Sequence, residues 1–509
     1  MNILGIGGIR SQSAAVLISN GRIVAAVEQA KLTRDAEPVD LPFEAINECL
    51  QIGSLLPNDI DFIALARPLP PGSDIPLALA KYQKARVVSI DHHEAHAASA
   101  YYASPFENAT VITLDGEGDL RCGATWRGAG NSLELQSESL YPDSIGDLYG
   151  RVTHLLGMRR RSEEHRVQWL AALGEPRFQA TFDQIISGHN FDQEFFEGHG
   201  FSSKFFSHIG LQNMAAGDRI HFAASIQKTL EEYVLRLAAG ADNVCLAGGV
   251  AWNALLVAAL ENSGRFKGVF AQPAAGNSGT ALGAALHVWH HTAGQTTRLE
   301  AHGYALGPEY SAGAIKRVFE NCKLRFRLLP TIPEITGAAV AQLSNNRILA
   351  WMQGRMEFGP RALGNRSILA SPHDPYSTEN LNTFIKHRET TRKFAASVPV
   401  ELAGEYFETG DNARHLATVG RVRPQYRDQF RGSILANDLV RVHTVAKEDN
   451  ALYWQLLHAF GEKTGLPVLY NTSFNLFGEQ MVCGPRDAVR SFYSSGIDAL
   501  VAGNFLLEK

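Results

Sequence analysis

The sequence of 509 residues predicts an α/β protein with more than one domain. Apolar strand-like runs alternate with helix-like stretches along the whole chain, which is typical of layered α/β folds. Glycine-rich turns follow several of these strands, and the chain is longer than one ordinary domain. Because 45% of the residues are hydrophobic and 19% are charged, we expect large buried cores.

Charge and composition narrow the functional classes. The formal net charge is −5 and no long basic run is present, so we expect no nucleic-acid partner, tRNA included. Polar or charged residues interrupt every apolar run before it could span a membrane. The first residues lack the features of a signal peptide, and the five cysteines contain no Cys-x-x-Cys pair. We therefore expect a cytoplasmic protein without a membrane partner or a disulfide framework.

A strand, a glycine-rich turn and a hairpin occur twice in the first half. The first copy comprises NILGIGG and the hairpin SAAVLISNGRIVAAVE, in which Asn20-Gly21 is a turn signal. The second copy comprises ATVITLDGEGD and CGATWRGAGNSLELQS. Because repeated segments indicate duplication, we expect a duplicated domain with a ligand between its copies. Glycine turns that merely connect strands are the alternative.

Two further glycine-rich turns follow later strands. VCLAGGVAWNALL passes through Gly248 and Gly249 into a helix that opens at Trp252-Asn253. QPAAGNSGTALGAAL turns through Gly276 and Gly279 into another helix. Backbone N–H groups at such junctions favour a phosphate, so these residues are candidates for nucleotide binding.

A candidate metal centre follows the strand ARVVSI. Asp91 is placed to cap a helix, on which His92 and His96 lie four residues apart and therefore on one face. Asp115, at the end of the next strand, supplies a carboxylate. Two histidines and one carboxylate are a common ligand set for iron or another divalent ion. Helical histidines without any metal remain the alternative.

Two clusters of cations lie in the second half. Arg361 and Arg366 occur in GPRALGNRS, and Lys386 and Arg388 occur in FIKHRETTRKF. Guanidinium groups bind phosphate or carboxylate bidentately, and residues i and i+2 of an extended segment share a face. We interpret both clusters, together with Arg355, as parts of an anion pocket. A solvated run of charges is the alternative.

The strand GLPVLY ends in short hydrogen-bonding side chains, those of Asn471, Thr472, Ser473 and Asn475. Such an end is typical of an edge that faces a ligand, and an Asn/Ser turn is the alternative. Upstream, a turn at Gly307-Pro308 precedes a new amphipathic helix. We therefore expect two domains, residues 1–305 and 306–509, that pack together.

Six segments occur in the order found in a known family: DHHEAHAASAYY, LAGGVAWN, GNSGTALGAAL, GRMEFGPRALGNRSILASP, IKHRE and LYNTSFNLFGE. Over nearly the whole chain they resemble the O-carbamoyltransferases of antibiotic and nodulation-factor biosynthesis. The resemblance implies that residues 1–305 form a duplicated actin-like (ASKHA-type) domain similar to threonylcarbamoyl transferases. It implies that residues 306–509 form a YrdC-like domain similar to threonylcarbamoyl-AMP synthases.

The resemblance also implies a reaction. Carbamoyl phosphate and ATP, with Mg²⁺, would form carbamoyl adenylate, and the carbamoyl group would pass to a hydroxyl or amine of a small natural product. Lys386 and Arg388 match the Lys-x-Arg signature of the adenylating half, and Ser473 and Asn475 match its Ser-x-Asn signature.

Further roles follow from the same resemblance. Arg361 and Arg366 would line the phosphate pocket. His92, His96 and Asp115 would hold Fe²⁺ or another divalent ion, which would polarise the carbamoyl group.

The first half departs from the family pattern at three places. Arg10 and Ser11 stand where the family has His-Asp, which removes the expected general base. Asn277 stands where the family has a metal-binding Asp, and a neutral amide is the weaker ligand. EHRVQWLA, with Arg166 and Trp169, replaces EGKVMGLA. Two alternatives therefore stay open: an adenylating enzyme with a different acceptor reaction, and a degenerate nucleotide-binding module that serves a partner.

Overall fold

The computed structural model describes residues 1–35, 41–69, 75, 79–188, 190–209, 217–389 and 392–509. Within these ranges the strands form two five-stranded sheets, one eight-stranded sheet and three smaller sheets. Helices cover the large sheets, so the predicted α/β class is confirmed. None of the helices in these ranges combines the length and the apolar character needed to cross a membrane.

The first sheet contains five strands: β1 Asn2–Gly7, β2 Ala14–Ser19, β3 Arg22–Glu28, β4 Phe62–Ala66 and β5 Arg86–Ile90. Their order is β3-β2-β1-β4-β5. β1, β2 and β3 are antiparallel, whereas β4 is parallel to β1 and β5 is parallel to β4. Asn20 and Gly21 form the predicted hairpin turn, with φ of 49° and 72°.

The second sheet repeats this topology. The strands in this region are β6 Asn108–Gly118, β7 Arg121–Ala129, β8 Ser132–Leu140, β9 Ile186–Ser187, β10 Asn190–Phe191, β11 Phe196–Glu197, β12 Gly200–Phe201, β13 Asn243–Ala247 and β14 Gly268–Ala271. β9–β12 form two short hairpins, and the others form the sheet β14-β13-β6-β7-β8. β6 has the place of β1, with two antiparallel strands on one side and two parallel strands on the other.

Two helices lie between these sheets. The helices of the first half are α1 Gln29–Thr33, α2 Phe43–Gly53, α3 His92–Tyr101, α4 Ile145–Leu155, α5 Glu164–Ala171, α6 Gln179–Ile185, α7 Ser203–His208, α8 Asp218–Leu237, α9 Ala254–Glu261 and α10 Gly279–His287. α10 packs on the first sheet, α3 packs on the second, and the two contact each other. Their close approach requires glycine, because a Cβ on Gly283 would lie 1.7 Å from the carbonyl oxygen of Ala95.

The second half is built on the eight-stranded sheet β15-β25-β24-β16-β17-β23-β18-β22 and the small sheet β19-β20-β21. Its strands are β15 Arg327–Leu328, β16 Leu349–Met352, β17 Arg366–Ala370, β18 Ala395–Pro399, β19 Phe407–Glu408, β20 Gly420–Val422, β21 Leu439–Val440, β22 Val442–Val445, β23 Leu469–Ser473, β24 Ala499–Ala502 and β25 Phe505–Glu508. Its helices are α11 Ala312–Asn321, α12 Ile332–Ser344, α13 Ser377–Asn380, α14 Ala403–Tyr406, α15 Ala451–Thr464 and α16 Pro485–Tyr493. α12 and α15 share one hydrophobic core with the large sheet, and α11 and α16 share the other.

The two halves contact each other through buried polar groups. On α1, Lys31 Nζ donates to the carbonyl oxygens of Glu357 and Gly359, at 2.9 and 2.6 Å. On α9, the carboxylate of Glu261 accepts hydrogen bonds from Asn412 and Thr418. No strand pairing among the described residues joins a sheet of one half to a sheet of the other.

Candidate functional site

A cavity of about 540 Å³ lies between the two halves. Six cations contribute to its lining: Arg166, Arg361, Arg388, Arg392, Lys393 and Arg441. The carboxylate that lines it in the described part of the chain belongs to Glu389, and it pairs with Arg166. The cavity therefore carries a large excess of positive charge.

Most of this charge is not neutralised by the protein. Arg361, Arg392 and Lys393 form no ion pair with any carboxylate that the structure describes. Burial lowers the pKa of both Arg361 and Arg388, and the charge of Arg392 lowers it further. Burial also holds the pKa of Arg441 well below its ordinary value, and neighbouring arginines add to the effect. Because like charges held together out of water are costly, this arrangement favours an anionic ligand.

The loop that presents Arg361 is organised around a buried carboxylate. Glu357 Oε1 accepts hydrogen bonds from the backbone N–H groups of Leu363, Asn365 and Arg366, at 2.8 to 3.1 Å. The loop closes around this oxygen because a buried carboxylate needs such donors. The sequence motif is thus a folded loop that holds the Arg361 side chain at the cavity wall.

Two arginines predicted to line the pocket do not do so. The side chain of Arg366 is fully buried, and its guanidinium donates to the carbonyl oxygens of five residues: Pro308, Gln353, Gly354, Asn365 and Cys483. Arg355 donates to the carbonyl oxygens of Val24, Leu306 and Gly307. Neither residue lines the cavity, and both guanidinium groups bind backbone carbonyl oxygens instead, which favours a structural role for them.

The Lys-x-Arg and Ser-x-Asn pairs are in contact. Lys386 is buried, and its Nζ donates to the carbonyl oxygens of Ser473 and Asn475 and to Asn475 Oδ1, at 2.6 to 2.9 Å. Ser473 Oγ donates to the same Asn475 Oδ1 at 2.7 Å. Arg388, Asn471, Thr472 and Ser473 line the cavity itself. Lys386 itself does not line the cavity, and its hydrogen bonds hold the end of β23 in place.

The backbone around Lys386 is not the extended segment that the sequence predicted. Residues Leu381–Ile385 form a helical turn, and His387 has a left-handed φ of 41°. Arg388 Nε donates to Asn382 Oδ1 at 2.7 Å. The two cations therefore come together through the end of a helix and a reversal of the chain, and no alternating strand pattern is involved.

Part of the cavity wall comes from the first half of the chain. α5 contributes Arg166, Trp169 and Leu170 to the cavity, although α5 belongs to the segment in which the family pattern is lost. The ion pair between Arg166 and Glu389 joins the halves at this point. The site is therefore formed by both halves of the chain.

The predicted metal ligands lie together at the start of α3. Asp91 caps α3 as predicted, and its side chain accepts from the backbone N–H groups of His93 and Glu94. His92 Nε2 lies 2.9 Å from Asp115 Oδ2, and His96 Nε2 lies 3.1 Å from the same oxygen. All three side chains are buried. Although burial opposes its ionisation, the two histidines hold the pKa of Asp115 well below its ordinary value.

The hydrogen bonds of the three histidines decide which could bind a metal ion. His92, His93 and Asp115 have ligand atoms within 4.8 Å of one another. Both ring nitrogens of His93 already have partners, the hydroxyl of Thr113 and the carbonyl of Arg121. In buried His96, Nδ1 has no hydrogen-bond partner among the described residues, and Nε2 faces Asp115 Oδ2 at 3.1 Å without the geometry of a hydrogen bond. The donor set therefore fits a divalent ion best through His92, His96 and Asp115.

The four glycine-rich turns meet beside this cluster. Asn277 donates from Nδ2 to Ser11 Oγ at 3.2 Å, and it lies beside His96. The backbone N–H of Gly249 donates to Asp115 Oδ1, and that of Gly248 donates to the carbonyl of Ala275. The turns after β1, β6, β13 and β14 thus converge between the two sheets.

Packing accounts for some of the residues that we assigned to nucleotide binding. A Cβ on Gly279 would lie 1.9 Å from the carbonyl oxygen of Ala274, and one on Gly276 would lie 2.4 Å from the Trp252 ring. Asn253 caps α9, and its amide is hydrogen-bonded to Gln227. The Asn253 amide is therefore hydrogen-bonded within the protein, which favours a structural role for this residue.

Comparisons with known proteins identify the family. The family model described as Carbamoyltransferase N-terminus matches residues 73–286, and the one described as Carbamoyltransferase C-terminus matches residues 340–509. This chain belongs to the carbamoyltransferase family. Nodulation protein NolNO of Sinorhizobium fredii is 31% identical to this carbamoyltransferase over 97% of the chain and 78% of its own length.

A second relative agrees with that assignment. The 3'-hydroxymethylcephem-O-carbamoyltransferase of Amycolatopsis lactamdurans is 32% identical over 50% of this chain and 45% of its own. The predicted resemblance to O-carbamoyltransferases is confirmed, and the protein is a carbamoyltransferase enzyme. Among solved structures, HypF of T. kodakarensis aligns with 58% of this chain and 48% of its own at 16% identity, with a TM-score of 0.37.

Several residues that line the cavity of the carbamoyltransferase were not predicted from its sequence. Arg392 and Lys393 were noticed only as a run of charge, and Arg441 carries no motif. Arg166 and Trp169 were seen only as departures from the family pattern. The position of α5 could not be read from local spacing, because it depends on how the halves pack.

Proposed function

We propose that the cavity between the halves forms carbamoyl adenylate from carbamoyl phosphate and ATP. Release of phosphate from carbamoyl phosphate by water leaves carbamate. A carbamate oxygen then attacks the α-phosphorus of ATP, the P–O bond to the β-phosphate breaks, and pyrophosphate leaves. The excess of unpaired cations around the cavity is the observation that carries this proposal.

The cations suit this chemistry because both reactants are polyanions. Arg361, Arg388 and Arg392 would neutralise phosphate charge and hold the two reactants in line, which is the main contribution that a protein makes to phosphoryl chemistry. Thr472 and Ser473 at the end of β23 offer hydroxyl groups to the same cavity. Lys386 keeps that strand end in place.

We further propose that residues 1–305 are the actin-like transfer domain and residues 306–509 the YrdC-like adenylating domain. A hydroxyl or amine of a small natural product would attack the carbamoyl carbon, and AMP would leave with the adenylate oxygen. The convergence of four turns between two equivalent sheets supports a ligand site there. The turn glycines Gly248 and Gly249 would let such a ligand approach the backbone closely, while their own N–H groups stay bound to Asp115 and Ala275.

His92, His96 and Asp115 would hold a divalent ion in the transfer domain. When bound, such an ion supplies Lewis acidity that polarises the carbamoyl oxygen. The chain's own residues prepare the site: His92 Nδ1 lies 3.3 Å from the carbonyl oxygen of Arg67, which can only accept a hydrogen bond. With an ion bound, this carbonyl would hold the one proton of His92 on Nδ1 and leave Nε2, on the side of Asp115, to bind the ion.

A pyrophosphate-exchange assay tests the adenylation step. The whole chain is incubated with ATP, Mg²⁺, labelled pyrophosphate and carbamoyl phosphate, and label in ATP is measured. We expect exchange that depends on carbamoyl phosphate and falls by about 100-fold or more in Arg388→Ala, as for loss of a residue that stabilises transition-state charge. Arg325→Ala, which removes an exposed cation away from the cavity, is the matched control.

The assay also separates the alternatives. Exchange without transfer to any tested hydroxyl or amine would indicate an adenylating enzyme with another acceptor reaction. Absence of exchange in folded wild-type protein would refute the adenylation proposal and favour a module that only binds nucleotide.

A further inference from the structure

Trp169 occupies a distinct position in the cavity wall. It lies on α5, is partly exposed and lines the cavity. Its buried side packs against the hydrophobic cluster of Ala254, Ala258 and Val419. The ring is therefore held by the core of the first half while part of it remains open to the cavity.

A cation lies close to this ring. The guanidinium of Arg441 is 5.5 Å from the centre of the indole, within the range of a cation–π contact. Arg441 is anchored by a hydrogen bond from Nη2 to the carbonyl oxygen of Leu416 at 2.7 Å, and its buried Nε has no partner in the part of the chain that the structure describes. Arg441 also lies close enough to Arg361 and Arg392 for their charges to lower its pKa. The indole is thus next to the charged part of the cavity.

The lining around Trp169 is apolar. Leu170, Leu173, Leu435 and Leu439 line the same cavity. A cavity whose lining combines an indole and leucines with several cations suits a molecule that joins a planar ring to several phosphates.

We propose that Trp169 is the residue on which the planar base of the nucleotide stacks, and that it therefore determines the preference of the cavity for a nucleotide over other polyphosphates. This role rests on the proposed use of ATP. It assigns a specificity function to a helix of the first half, in the segment where this chain departs from its family. Base–aromatic stacking suits the task, since it adds affinity without adding charge.

Titration calorimetry with two ligands tests the role. Mg²⁺–ATP carries a base and inorganic tripolyphosphate does not, so the two share only the phosphate contacts. We expect Trp169→Ala to weaken ATP binding by about tenfold, the scale of one lost base–aromatic stack, and to leave tripolyphosphate binding within about twofold. Trp169→Phe should retain most of the ATP affinity. Trp454→Phe changes an indole that does not line the cavity and is the control.

The outcomes are distinguishable. If Trp169→Ala weakens both ligands equally, the indole only supports Arg441 and the wall, and the proposal is wrong. If it weakens neither, the base lies elsewhere and the proposal is again wrong. If wild-type protein binds tripolyphosphate but not ATP, the stacking role fails while the cavity remains an anion site. If it binds neither, the proposed function fails as well.

Discussion

The cluster of His92, His96 and Asp115 in the first half and the cavity between the halves differ in how far their charges are neutralised within the protein. At the cluster, one carboxylate, that of Asp115, is shared by His92, His96 and the backbone N–H of Gly249. At the cavity, six cations face Glu389, which already pairs with Arg166. The cluster is close to neutral without a ligand, whereas the cavity is not.

This difference indicates how strongly each site depends on what it binds. Charges that are buried without partners raise the free energy of the ligand-free protein, and a polyanion would remove that cost on binding. Asp115 gains less from a ligand, because it already lies against His92, His96 and the backbone N–H of Gly249. We therefore expect substitutions at the cavity to affect function most, and those at the cluster to affect it in a graded way.

The largest predicted effects concern two arginines of one loop, Arg361 and Arg366, whose substitutions should affect activity and stability differently. Arg361→Ala should lower adenylate formation by about 100-fold or more without lowering the melting temperature, because its guanidinium lines the cavity and forms no ion pair with a described carboxylate. Arg366→Ala should instead destabilise the fold by about 3–5 kcal/mol, because it leaves buried carbonyl groups without donors. Pyrophosphate exchange and thermal unfolding distinguish the two. Equal loss of activity with equal loss of stability would remove the distinction between these residues.

The next effect concerns the metal. We expect weak, exchangeable binding of Fe²⁺ or another divalent ion to the wild type, abolished in His96→Ala. Asn277→Asp should strengthen it by about tenfold, because a charged ligand replaces a neutral amide. Titration calorimetry and elemental analysis measure this.

His93→Gln is the control for that experiment, because the hydrogen bonds of His93 leave it no free nitrogen. Metal affinity should survive this change. Loss of binding in His93→Gln but not in His96→Ala would reassign the ligands. No binding to the wild type at millimolar concentration would show that the site has been abandoned.

A smaller effect tests the cost of the unpaired charge. Arg392→Gln should raise the stability of the ligand-free protein by about 1 kcal/mol, because it removes like-charge repulsion. The same change should weaken ATP binding by about tenfold through loss of a charge-assisted hydrogen bond. Thermal unfolding with and without ATP measures both. A lower melting temperature without ligand would mean that the cations are compensated in a way that the structure does not show.

The smallest predicted effect is the uptake of a proton by Lys386 when ATP binds. Burial, then Arg388 and Arg392, holds the pKa of Lys386 well below its ordinary value. Its cationic form is therefore the costly one. The cost to stability is fully present below the folded pKa and is relieved as the pH rises from the folded pKa towards the ordinary pKa of lysine. A polyanion favours the cation, so ATP binding at pH 8.5, where phosphates are fully ionised, should take up a fraction of a proton.

Calorimetry in buffers of different ionisation enthalpy measures this uptake. It should be absent in Lys386→Met and unchanged in Lys267→Met, an exposed lysine outside the cavity. Uptake that persists in Lys386→Met would assign the proton to another group.

Local patterns predicted much of the fold. The hairpin at Asn20-Gly21, the cap at Asp91 and the strand that ends at Ser473 follow from short-range rules of turns and helix ends. The contact between His92 and His96 follows from helical spacing. These elements were predictable because the residues that decide them are neighbours in the chain.

Features that depend on long-range packing could not be predicted from local patterns. Two arginines five residues apart in one motif were given one role, yet Arg361 reaches the cavity and Arg366 points into the core at the start of β17. The position of Arg441 beside Trp169 joins segments more than 250 residues apart, which no local pattern describes.

Helix α5 has a consequence for how this protein could be recombined. Most residues that line the cavity belong to the second half of the chain. Helix α5, residues Glu164–Ala171 of the first half, supplies another part of the wall. An exchange of the second half alone between two relatives would bring a foreign pocket against a native helix. The exchangeable unit is therefore the second half together with α5, two pieces that are distant in the gene and adjacent in the folded chain.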